Sequence, residues 1–140
     1  MADRVLVPID GSPHSRRALE FAVEEWPDAT FLLLSVVDPV DARSTRGFFP
    51  TENEEWVREA KADARELIDD YRSSVPEGTH TDARVEVGRP AQTIVEVAEE
   101  GDVDHVVMGS HGRKGVQRVL LGSVTESVAR NAPVPVTIVR

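Results

Sequence analysis

Residues 30–37 read TFLLLSVV, and this run decides the fold class. A strand with one wet face alternates apolar and polar residues. A run apolar at odd and even positions alike needs cover on both faces, which helices provide over a parallel sheet. Outward from it lie shorter runs of similar character: RVLVPI at 4–9, ARVEV at 83–87, DHVVM at 104–108 and VPVTIV from Val134 to Val139.

Helical patterns fill the intervals. After Asp10-Gly11, Ser12 is placed as an N-cap with Pro13 at the first helical position. Ala18, Leu19, Ala22, Val23 and Trp26 then recur at helical spacing and are expected to face the core. Residues 38–50 read as a long loop. Thr51 with Glu54 forms a capping-box pattern ahead of the stripe Trp56, Val57, Ala60, Ala64, Leu67, Ile68 and Tyr71. Gly88-Arg89-Pro90 precedes a short helix through Ile94, Val97 and Ala98, and a last helix starts near Ser123. The order β-α-β-α-β-α-β-α-β predicts an α/β fold: one doubly wound, Rossmann-like domain over 1–140. Its five-stranded parallel sheet would have the order 3-2-1-4-5, with helices on both faces.

Composition removes several classes of function. A net charge of −9 over 140 residues argues against nucleic-acid binding, which needs clustered cations. No apolar stretch is long enough to predict a membrane span, and no signal-peptide pattern opens the chain, so a cytoplasmic location is expected. There is no cysteine, which rules out disulfides and thiolate metal sites. Of the 16 lysines and arginines only Lys61 and Lys114 are lysine. An acid-rich, lysine-poor chain fits a high-salt interior, where screening tolerates self-repulsion.

The segment MGSHGRKGVQRVLLGSVTES at 108–127 carries Gly109, Gly112, Gly115 and Gly122. From His105 through Thr125 there is no Asp or Glu, where about four are expected at the chain's average density, and Arg113, Lys114 and Arg118 fall in the gap. In open α/β sheets ligands bind beyond the carboxyl ends of strands where winding reverses. With the order 3-2-1-4-5 that reversal brings Asp10 and Gly109 together. Glycines there permit positive φ or close approach of amides to an anion, and a helix starting at Ser123 adds its free N–H groups. A structural alternative stands beside this: Ser123-Val-Thr-Glu126 is a capping-box pattern, and Gly122 a simple turn residue.

The pattern Gly109-x2-Gly112-x9-Gly122-Ser123 resembles the phosphate- and ribose-binding motif of the universal stress protein family, in its ATP-binding branch. VLVPIDGS, LLLSVVD, VEVGRPAQTIVEVAEEGDVDHVVMGSHG and APVPVTIVR resemble, in order, that family's strands. The resemblance implies an adenine nucleotide (ATP, ADP or AMP), with Mg or Mn on its phosphates. It implies that Asp10 contacts adenosine, that Pro8 and Ile9 line the base pocket, and that Val36 binds adenine through its backbone. Met108 would pack near the base and Gly109 would approach the ribose and α-phosphate. Ser110 belongs to the same binding loop. His111, Gly112 and Arg113 would hold the phosphates from one side, and Gly122, Ser123, Val124 and Thr125 from the other. It further implies a homodimer joined through the edge strand Val134 to Val139, and a signalling partner of unknown identity.

No residue is singled out as catalytic. The sequence has no G-x-x-x-x-G-K-[ST] lysine and no acidic pair placed for phosphoryl transfer, so binding without efficient turnover is expected. A slow ATPase or nucleotidyl-transfer enzyme using the same pocket, and a dimeric interaction module with a vestigial site, remain open alternatives. Asp10 could serve only a turn, bonding the Ser12 amide. His14 reads as a surface residue. His14, His80 and His105 lack metal-ligand spacing. Arg43 and Arg46 read as solvated, and Phe48 and Phe49 as loop anchors.

Overall fold

The computed structural model describes residues 2–40, 54–100, 102–111 and 121–140. Among the described residues the elements are β1 (Arg4–Pro8), α1 (Pro13–Glu25), β2 (Thr30–Val37), α2 (Glu54–Ser73), β3 (His80–Val87), α3 (Pro90–Glu99), β4 (His105–Gly109), α4 (Ser123–Asn131) and β5 (Val136–Val139). The strands form a five-stranded sheet in the order β3-β2-β1-β4-β5, and every pairing is parallel. This is the expected topology. Winding reverses between β1 and β4.

The double-sided apolar runs divide their side chains by parity. Val5, Val7, Phe31, Leu33 and Val107 pack with Leu19, Val23, Ile68 and Tyr71 of α1 and α2. Leu6, Leu32, Leu34, Val106 and Met108 pack on the opposite face with Ile94 and Val97 of α3 and Val128 of α4. Both faces of the sheet are therefore covered by helices, as a parallel sheet requires.

Strand boundaries differ from the sequence pattern where pairing overrides it. β3 begins at His80 rather than Ala83, because its eight residues pair in register with all of β2, from Thr30↔His80 to Val37↔Val87. The polar start carries no apolar signal. β5 begins at Val136 rather than Val134. Pro135 has no amide for the ladder, although its carbonyl accepts from the Val106 amide at 2.9 Å. β4 runs from His105 to Gly109, one residue later at each end than the pattern suggests.

Two capping expectations part ways. Ser12 is the N-cap of α1 and its hydroxyl accepts from the Ser15 amide at 3.1 Å. At α4 the N-cap is Gly122, Ser123 is the first helical residue, and among the described residues no side chain caps the helix. The proposed Ser123–Glu126 capping box does not form; the Glu126 carboxylate instead accepts from Arg130 at 2.8 Å. Trp56 is buried as expected, but Trp26 is half-buried at the C-cap of α1, where its ring lies 4.7 Å from that of His105. Thr51 and the loop residues Arg43, Arg46, Phe48 and Phe49 lie outside the described residues.

Candidate functional site in the crevice between β1 and β4

Past β1 the chain turns sharply into α1. The Asp10 carboxylate Oδ1 accepts from the Ser12 amide at 2.9 Å, so the turn-forming bond is made, and Gly11 adopts φ +84°. Only glycine takes that conformation without strain. Beneath the turn, the fully buried Tyr71 hydroxyl accepts from the Gly11 amide at 3.0 Å and bonds Ser15 Oγ. The Ser15 hydroxyl is also 3.2 Å from the Ser12 carbonyl. With Ser15 donating there, Tyr71 donates to Ser15, and every proton in the chain has an acceptor. Burial pushes the Tyr71 phenol above its ordinary range, and Arg16 stacks 4.4 Å from its ring centre. The sequence pattern marked Tyr71 as core only; its hydroxyl in fact props the β1–α1 turn.

On the other side, β4 ends at Gly109 against α1. A Cβ at Gly109 would sit 2.6 Å from Cβ of His14 and 2.7 Å from its carbonyl carbon. Close packing of helix on strand therefore demands this glycine, whatever binds nearby. Ser110 follows, 3% exposed, its amide donating to Val139 and its carbonyl accepting from Gly122. Thr125 is 2% exposed, and its hydroxyl donates to the Gly109 carbonyl at 2.8 Å. That hydroxyl thus braces α4 against β4.

Gly122 is different. Its φ of −65° suits any residue, and an added Cβ would meet His111 Cα and Ser110 O at 3.4 Å, an ordinary contact. Neither its backbone nor its described neighbours require a glycine there. The Glu126 amide donates to the Gly122 carbonyl at 2.9 Å, while the amides of Ser123, Val124 and Thr125 precede it and have no carbonyl within the helix. Ser123 is exposed at this end.

His111 is nearly buried beside Gly122, with its Nδ1 3.2 Å from Ser110 Oγ. Its ring lies 5.5 Å from that of His14, which is half-buried rather than a free surface residue. Burial first, then the nearby positive charge of Arg17 and the His111 ring, hold the His14 imidazole below its ordinary range, while Asp10 pulls the other way. His14 is the crevice residue that its sequence context concealed, since position two of a helix is most often solvated.

The remaining expected residues are spread between core and rim. Pro8 and Val36 are half-buried at the ends of β1 and β2. The side chains of Ile9 and Met108 are buried in opposite core clusters. The Ile9 amide donates to Leu34 at 2.9 Å, tying the turn to β2. Gly112 and Arg113 lie outside the described residues.

Topology and crevice together define the class: a doubly wound α/β protein whose winding reversal is flanked by a propped turn and a helix N-terminus. The universal stress protein family model matches residues 1–140, and the chain belongs to that family. A universal stress protein of Methanocaldococcus jannaschii is 33% identical over a 145-residue alignment covering 98% of this chain and 81% of the relative. A protein solved as a structural-genomics test case for assigning biochemical function has a TM-score of 0.81 at 27% identity, covering 98% of this chain and 94% of that one. A universal stress protein solved in complex with cAMP has a TM-score of 0.70 at 25% identity, covering 99% of this chain and 97% of that one. Among the described residues, no helix is long and apolar enough to cross a membrane.

Proposed function

We propose that this chain binds an adenine nucleotide, ATP above all, in the crevice between the ends of β1 and β4, and holds it without efficient turnover. The observation that carries the reading is Gly122. It is a glycine that neither its φ nor its described neighbours require, placed at the N-cap of α4, where three amides lack helical partners and a phosphate gains most from a missing side chain. The neighbour solved with cAMP supports an adenine nucleotide as the ligand class.

In this reading the amides of Ser123, Val124 and Thr125 meet the phosphates, with His111, Gly112 and Arg113 opposite. Asp10 and the Val36 backbone hold adenosine and adenine. Pro8 and Ile9 line the base pocket, and Met108 packs near the base. Among the described residues no group of three or more His, Asp or Glu is placed to hold a metal, so Mg or Mn would ride on the phosphate oxygens. A helix terminus contributes only about 0.3–2 kcal/mol to a bound charge, and micromolar affinity needs about 8, so these contacts must act together.

The proposal extends to a cytoplasmic regulator in the stress response, in one domain spanning 1–140. It pairs as a homodimer through the edge strand β5 and signals to a partner by its nucleotide state. An ATP titration tests the core of the proposal. Saturable binding that Gly122→Glu weakens at least about tenfold supports it; equal affinity in the two proteins overturns it.

A further inference from the structure

We propose that His14 and His111 form a proton-linked edge of this crevice, such that a bound phosphate draws a proton onto His14. The inference rests on nucleotide binding in the crevice and adds a regulator to it. Three contacts place the pair. His14 packs its backbone on Gly109 at the end of β4, its ring lies 5.5 Å from that of His111, and His111 Cδ2 lies 3.7 Å from where a Cβ on Gly122 would stand. The row Gly109–His14–His111–Gly122 thus runs along the crevice and ends at the N-terminus of α4.

Among the described residues, the charges facing His14 come from three elements. Arg17 lies one turn on in α1, and its Nε donates to the Arg140 carbonyl at 3.3 Å beside β5. His111 faces it from beyond β4, and Asp10 from the β1–α1 turn, with Oδ1 engaged by the Ser12 amide. Two of these three oppose a proton on His14, and so does its burial. A phosphate dianion brought to the same edge reverses that balance by adding negative charge. Binding and protonation then favour each other reciprocally. The proton comes from solvent and adds to the imidazole lone pair; no other bond changes. Acidification therefore tightens the site, and a rise in pH loosens it.

Calorimetric titration of ATP with Mg into the wild-type chain and His14→Gln, between about pH 8 and about pH 6, tests this. Glutamine keeps the Cβ that packs on Gly109. Taking the difference between the two proteins cancels the titration of the phosphate itself. Wild-type affinity should gain about three- to tenfold over the variant as pH falls, since a midpoint shift of about one unit corresponds to at most a tenfold gain. The His14 imidazole NMR titration should move to higher pH when ATP is added. Parallel pH profiles with an unmoved His14 midpoint overturn the inference and leave nucleotide binding standing. Absence of binding in both proteins at every pH overturns both.

Discussion

A methyl group at Gly109 would intrude on the His14 backbone, whereas one at Gly122 would make only ordinary contacts with the described residues. Gly109→Ala should therefore destabilise the fold by about 1–3 kcal/mol through overpacking of α1 on β4, read as a lower urea midpoint. Tyr71→Phe should cost about 1–3 kcal/mol, because the Gly11 amide and Ser15 lose their buried partner. It should also weaken ATP binding by loosening the turn that carries Asp10. An unchanged midpoint in either variant would contradict the packing described. At this scale the sequence was only half legible. Glycine spacing located the crevice, yet spacing cannot separate a glycine that admits a helix from one that admits a ligand. Nor can it show that Tyr71, from α2, reaches a turn 60 residues away. Such contacts arise from the sheet order, not from neighbours in the chain.

The helices show how local signals compete. Both Ser12 and Ser123 precede or open a helix, and only Ser12 caps one. Ser12→Ala should cost about 1 kcal/mol, while Ser123→Ala should change stability by less than about 0.5 kcal/mol. Equal losses in thermal unfolding would restore Ser123 as a cap. The capping-box pattern failed because Gly122 donates its amide to Ser110 and is thereby fixed as the last non-helical residue. Among the described residues, α4 thus presents an end without a side-chain cap to the crevice. The strands were more legible than the caps, since β1, β2 and β4 carry apolar runs buried on both faces. β3 was read short because its polar start is held by register with β2 rather than by its own pattern.

For the whole molecule, topology followed from the double-sided runs and the strict alternation of strands and helices. The behaviour in solution follows from charge. Burial, the largest cause, holds both His105 and His14 below the ordinary imidazole range, Asp104 opposing it at His105. The native state thus favours neutral rings and the unfolded chain binds protons more readily. Their contribution is fully present above about pH 6.5 and is lost as pH falls through the folded midpoints. Urea midpoints should fall from about pH 7 to about pH 5.5, and His105→Gln should flatten that slope. A slope unchanged by the substitution would contradict it. With a net charge of −9, added salt should raise stability by screening self-repulsion. Equal unfolding midpoints in low and molar KCl would remove the high-salt reading. The central claim concerns the crevice, and calorimetric titration of ATP into wild-type chain and Gly122→Glu addresses it most directly. The account predicts saturable binding by the wild-type chain and at least about a tenfold loss in a variant that remains folded. No measurable binding by the wild-type chain, or equal affinity in the two, would contradict it.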